Sequence, residues 1–162
     1  DINQDNNHEY HQEVFESVKG EIVVYLMNLA REYAVGFKDL VLISGMARGV
    51  DEIFAKIAID FNLPLIITVP KSVEWHKNKI VKDTSDIKIQ AIDYDAILAY
   101  DKLEIVEVTD NLDKGNYGYF LARNQSLVDL SDGVISYQCY DSQGTSDCID
   151  RAKLKNKYIG NI

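Results

Sequence analysis

The sequence predicts an α/β fold, a single domain with a mostly parallel sheet and helices on both faces, on three observations. Short apolar runs of strand length alternate with longer stretches of helical periodicity along most of the chain. Val41 to Asp51 passes from a buried strand into a helix through two glycines and an arginine. A second passage of the same kind runs from Gly133 to about Thr145. In a parallel sheet both turns would sit at the carboxyl ends of their strands, where such folds place ligands.

In the first turn, Leu40 to Ile43 reads as a strand covered on both faces, and the period becomes helical from Val50 through Ile59. Gly45 and Gly49 permit positive φ and close approach to the backbone, while the free N–H groups of the following helix point toward a potential anion. Arg48 adds a planar cationic fork. This is the makeup of a phosphate or carboxylate pocket. The competing reading is an ordinary βα turn in which Arg48 is solvated and Asp51 caps the helix. The second turn decides for a site: Gly133 to Gln138 reads as a strand, and Cys139 to Asp147 as a polar turn opening a helix from about Thr145 to Asn156.

At 162 residues the chain is long enough for one core without disulfides or metal. A net charge of −9 works against a surface that wraps a nucleic-acid backbone, whose affinity comes largely from Lys and Arg displacing counterions. Cys139 and Cys148, in an otherwise Cys-free chain, read as reduced thiols of a cytoplasmic protein. No apolar run approaches the roughly 20 residues of a membrane span, and the chain opens on Asp1 with no signal-peptide pattern.

Asp1 to Asn7 is polar and expected to be loose. Val14, Val18, Ile22, Tyr25, Leu26, Leu29 and Tyr33 then fall at three- and four-residue steps and predict a helix from about Glu9 to Tyr33, ended by Gly36. His8 and His11 have metal-ligand spacing but no acidic or cysteine partner to complete a site, so no metal and no cofactor is expected. Ile53, Phe54, Ile57, Ala58 and Phe61 form the stripe of the next helix, which ends near Asn62 before Pro64. Leu65 to Val69 is a strand stopped by Pro70. Helical spacing resumes through Ile80, Ile87, Ile92, Ile97 and Leu98 to Tyr100 as two helices or a broken one, and Trp75 within it is read as packing on the domain. Glu104 to Val108 is a strand, Thr109 to Gly118 a flexible loop, and Tyr119 to Leu130 a helix. Phe120, Leu121, Leu127, Val128 and Leu130 can pack inward, which leaves Arg123 and Asn124 near the loop and the sheet edge, able to clamp a phosphate and read a polar edge. Lys157 to Gly160 closes the chain as a short edge strand.

In this order, Ser44-Gly-Met-Ala-Arg-Gly-Val-Asp51, Ala122-Arg-Asn124, Val128-Asp-Leu-Ser-Asp-Gly-Val134 and Asp141-Ser-Gln-Gly-Thr145 resemble the SLOG superfamily, which includes the DprA recombination mediators and the Lonely Guy phosphoribohydrolases. The chain looks most like its YpsA-like branch, small proteins of bacteria and their phages, and the resemblance runs from about Tyr10 onward. It implies a Rossmann-like domain whose pocket holds a nucleotide or nucleotide-derived ligand, often in a dimer or tetramer. By position, the binding residues would be Ser44, Gly45, Met46, Arg48, Gly49, Arg123, Asn124, Ser142, Gly144 and Thr145.

Two departures matter. The YpsA-like pattern has an amino-terminal strand ending in a Gly-His-Arg-Pro turn that this sequence lacks, so the chain is shortened or one pocket wall is missing, with a strand position left unfilled. The phosphoribohydrolases carry a glutamate three residues after the threonine of the second turn, and here that residue is Cys148, with Asp147 one place early and Gln143 replacing a glycine. A carboxylate is needed there to stabilise the charge that builds on ribose as an N-glycosidic bond breaks, and a thiol is a poor substitute. The expectation is therefore a nucleotide-binding module, a sensor or sink. The alternatives are a nucleotide-processing enzyme (N-glycosidase or base transferase) using Asp51 or Asp147, and, disfavoured by charge, a single-stranded DNA binder.

Overall fold

Leu65, Ile67 and Val69 are fully buried in the strand Leu65–Pro70, and so are their oppositely facing neighbours Thr68 and Pro70. A strand hidden on both faces needs a helical layer on each side, and the rest of the chain supplies them. The computed structural model describes residues 2–82, 94–137 and 142–162, with side chains described for 12–80, 94–137 and 142–162. In chain order the elements are α1 (Ile2–Glu32), a 3-10 turn (Phe37–Asp39), β1 (Leu42–Ser44), α2 (Val50–Asp60), β2 (Leu65–Pro70), α3 (Val73–Lys82), α4 (Tyr94–Leu98), β3 (Leu103–Val108), α5 (Tyr117–Leu130), β4 (Gly133–Ser136), α6 (Gln143–Leu154) and β5 (Tyr158–Asn161). The fold is α/β and Rossmann-like, as the alternation of periods predicts.

Among the described residues all pairings are parallel, and the strands fall into two pieces. β1, β2 and β3 form one, in that order, with Leu42 opposite Leu65 and Ile67 opposite Ile105. β4 and β5 form the other, with Val134 opposite Ile159. α1 packs on α2, and α5 on α6. The main core gathers Ile22 and Leu26 of α1, Ile53, Ile57 and Ala58 of α2, Ile97 of α4 and the buried side of β1 and β2, and Ile135 of β4 and Ile162 reach it from the second piece. Val128, Val134 and Ala152 form a smaller cluster under α6.

The differences from the sequence reading lie at the boundaries. α1 begins at Ile2, so residues 2 to 7 are helical where a loose segment was expected. No glycine or proline falls between Ile2 and Lys19, and extending an established helix costs little per residue once its nucleus exists. α1 also stops before Gly36. Val35 N–H reaches the Ala30 carbonyl at 2.9 Å and Ala34 N–H the Arg31 carbonyl at 3.1 Å, with Ala34 at φ 55. This is the left-handed C-terminal cap that α2 closes with Asn62 and α6 with Asn156. Asparagine tolerates that conformation and alanine does not. Ala34→Gly is expected to raise the melting temperature and to stabilise the fold by about 0.5–1 kcal/mol, measured by urea denaturation. An unchanged or lower midpoint would show that strain at Ala34 is absent.

β1 starts at Leu42 rather than Leu40, β3 at Leu103, α5 at Tyr117 and α6 at Gln143. Ile87, Ile92, Gln138, Cys139 and Asp141 lie outside the described residues, as do the side chains of His8 and His11. Among the described residues no helix is long and apolar enough to cross a membrane.

Candidate functional site

The site is assembled by α5. Arg123 and Asn124 are adjacent in its second turn, and each touches the loop that follows a different piece of the sheet. Arg123 Nη1 donates to the Gly45 carbonyl, just past β1, and lies 3.5 Å from Asp51 Oδ2. Asn124 Nδ2 donates to Asp147 Oδ2 at 3.0 Å and comes within 3.5 Å of the Gly144 carbonyl, at the start of α6. The carboxyl ends of β1 and β4 therefore share one edge, and the two turns, a hundred residues apart in sequence, meet across it.

Both α5 residues are more deeply placed than an exposed Arg-Asn pair would be: Arg123 is 7% and Asn124 5% exposed, whereas Leu130 is 48% exposed. Arg123 also stacks its guanidinium on Phe120 at 5.9 Å, and its Nε is buried with no hydrogen-bond partner among the described residues. Burying a guanidinium is costly without partners, and here a carbonyl, a carboxylate and an aromatic face supply most of them.

The first turn is tied down by its own side chains. Ser44 Oγ donates to the Asp51 carbonyl at 2.7 Å and accepts the Met46 N–H at 3.1 Å, and both Ser44 and Met46 are buried. Asp51 Oδ2 accepts the Ala47 N–H at 3.0 Å and Glu52 Oε2 the Gly49 N–H at 3.1 Å. The amides expected to face a ligand at this turn are thus capped by carboxylates from the first turn of α2. Gly49 adopts φ 88, as a glycine-dependent turn requires, and is exposed. Half-buried Arg48 donates Nη2 to the Ile80 carbonyl of α3.

The second turn is more open. Ser142 precedes α6 without a side-chain cap, and no acidic residue stands in the helix's first turn. Gly144 is exposed, and a Cβ built on it meets nothing nearer than Ser142 Oγ at 4.0 Å. Asp147 accepts from Asn124 and from Arg151 Nε at 2.8 Å. Burial pushes the Cys148 thiol up to about 11, with Arg123 opposing the rise, so it stays protonated at neutral pH.

A cavity of about 1180 Å³ opens between the two turns and is lined by Ala47, Arg48, Gly49 and Asp51, by Arg123 and Asn124, and by Ser142, Gly144, Thr145 and Cys148. Ser44, Gly45 and Met46 are buried and are not part of that lining. Among the described residues no cluster of three His, Cys, Asp or Glu side chains could hold a metal ion.

Two buried titratable groups beside the site were not singled out from the sequence. Glu52 has its carboxyl pushed up to about 7 by burial, against the lowering effect of the Gly49 N–H and Arg48. His76, 1% exposed, has its imidazole pushed down to about 4 by burial and by the charge of Arg123, and its Nδ1 lies 3.1 Å from the Tyr94 hydroxyl. Only a local signal was available for Glu52, an acid three residues after a turn glycine. His76 sits one place from Trp75, which packs against Tyr119 and Phe120 with Lys71 Nζ 4.7 Å above its ring. No protein-family model, no curated protein and no solved structure matches this chain.

Proposed function

We propose that the chain is a SLOG-like binding module that captures a nucleotide or nucleotide-derived small molecule at the carboxyl edge of its sheet, as a sensor or a sequestering protein. The observation that carries this reading is one cavity on which Arg48, the buried Arg123 and the first turn of α6 all converge. A cation at the rim, another at the base and a helix amino terminus with no acidic residue in its first turn suit a phosphate. The first turn contributes Arg48 rather than its amides, because Asp51 and Glu52 already occupy those.

Binding is favoured over turnover by the carboxylates themselves. Asp51 is held by the Ala47 N–H and Arg123, and Asp147 by Asn124 and Arg151, so neither is placed as an unengaged acid or base. A cytoplasmic location and a homo-oligomeric assembly belong to the same proposal, while the charge of −9 speaks against nucleic acid as the ligand.

Calorimetry against mono-, di- and cyclic nucleotides is expected to find one class that binds. Arg48→Ala should weaken it at least tenfold, about 1.4 kcal/mol. Gly144→Asp, which sets a carboxylate at the α6 amino terminus, should do the same by repulsion. Heat from none of the panel, or equal affinity in the parent and both variants, would overturn the reading.

A further inference from the structure

The outer side of α1 carries a pattern of its own. Glu13, Ser17, Gly20, Val24, Met27 and Arg31 follow one another at steps of four, three, four, three and four, and every one of them is exposed. That alternation is the spacing of a two-helix seam, in which one narrow stripe stays turned toward a partner helix. The core side of the helix lies opposite, where Ile22, Leu26 and Ala30 are buried.

The middle of the stripe is apolar or small. Val24 is 58% and Met27 41% exposed, which is much apolar surface to leave in water on one helix face. Gly20 stands inside a 31-residue helix, and a Cβ built on it meets nothing within 4 Å. Glycine is the least favourable helix residue after proline, and no contact among the described residues requires one here. What a glycine at this place provides is a notch that lets another helix come close.

The two ends of the stripe carry opposite charges, Glu13 at one and Arg31 at the other, and its positions are symmetric about Ile22. Laid antiparallel on its own copy, the stripe sets Glu13 against the partner's Arg31, Ser17 against the partner's Met27, and Val24 into the notch at the partner's Gly20. The same three contacts recur across the two-fold axis, as an isologous interface requires. Laid parallel, Glu13 meets its own counterpart and so does Arg31, while the two notches face each other across a void. Like charges in register select against that arrangement.

We propose that α1 pairs antiparallel with α1 of a second copy of this chain along Glu13, Ser17, Gly20, Val24, Met27 and Arg31, forming a two-fold dimer. Six seam residues a side make a small interface, so the dimer is a reversible one. Phe15, Val18 and Leu26, on the inner side of the same helix, line the cavity, so the second copy backs one wall of the binding site. This names the interface of the homo-oligomer in the functional reading. It is measured without any ligand, so its failure and that of nucleotide binding are separate results.

The test is sedimentation equilibrium of the full chain over a hundredfold dilution series, at about 0.15 M salt to screen the repulsion between two chains of charge −9. The parent is expected to pass from dimer to monomer along the series. Glu13→Arg should weaken the dimer at least tenfold, because the change acts twice across the axis, and so should Arg31→Glu. The double variant Glu13→Arg with Arg31→Glu should recover at least half of that loss on a logarithmic scale. Gly20→Leu should weaken the dimer at least tenfold while raising the melting temperature of the dilute monomer, since leucine favours the helix and fills the notch. Monomer at every concentration, a dimer that Gly20→Leu and Glu13→Arg leave unchanged, or a double variant no tighter than either single one would overturn the proposal.

Discussion

Glu52→Gln is expected to make the fold acid-sensitive, with a loss of about 3 kcal/mol as the pH falls from 6.5 to 4, while the parent changes far less over the same range. His76 causes the loss. In the fold its imidazole is held down to about 4, whereas in the unfolded chain it titrates near its ordinary 6.5. The stability that comes from keeping it neutral is complete above 6.5 and is lost as the pH falls through 4, because the unfolded chain takes up a proton that the folded one refuses.

Glu52 works in the opposite sense. Its folded carboxyl is held up at about 7 against an ordinary 4.5. The fold therefore retains a proton that the unfolded chain has released, and this contribution, complete below 4.5, is lost as the pH rises through 7. The two windows overlap, and at about 1.4 kcal/mol per pH unit the two effects are of similar size. In the parent they offset each other between 4.5 and 6.5. His76→Phe should expose the Glu52 effect alone, with stability falling as the pH rises from 4.5 to 7. Urea denaturation of the parent and both variants at half-unit steps from pH 4 to 7.5 checks this. Three parallel curves would show that neither burial controls protonation as argued.

Much of this architecture was legible in the residues. Apolar runs such as Leu65 to Val69 have strand length and Pro70 ends them, and the stripe from Ile53 to Phe61 can be satisfied only by a helix lying on a sheet. The meeting of the two turns was legible as well, because consecutive βα units put such turns on one edge. The break between β1 and β4 was not readable from periodicity, which describes each strand's faces and says nothing of its edges. Nor was the fate of the first turn's amides. Glycines and an arginine advertise an anion site, but whether the first occupant is a ligand or the chain's own Asp51 and Glu52 depends on rotamers that spacing does not encode. Arg123 was read as near the sheet edge and proved buried for a similar reason: α5 packs against β2, and its first turn meets Trp75 and His76 of α3 through Tyr119 and Phe120, while Leu130 at its far end stays exposed.

Gly45→Ala is expected to destabilise the protein by about 3 kcal/mol, and to do so through Arg123 rather than through its own backbone. Gly45 has no positive φ to defend. A Cβ there would lie 2.8 Å from Arg123 Cζ and 2.9 Å from Asp51 Oδ2, and closer still to Nη1. The guanidinium would have to leave the Gly45 carbonyl and the Asp51 carboxylate and swing toward the cavity it lines, giving up both partners while still largely buried. A double-mutant cycle separates the two explanations. Arg123→Ala removes the obstructing group, so adding Gly45→Ala to it should cost less than about 1 kcal/mol, a coupling of 2 kcal/mol or more. Gly49→Ala is the control: its φ of 88 is strained for any side chain, but a Cβ there meets no neighbour. Its cost of about 1–3 kcal/mol should therefore be the same in both backgrounds. If Gly45→Ala were equally harmful with and without the Arg123 side chain, the contact would not be what requires glycine, and the buried arginine would lose its role as the clasp between the turn after β1 and α5.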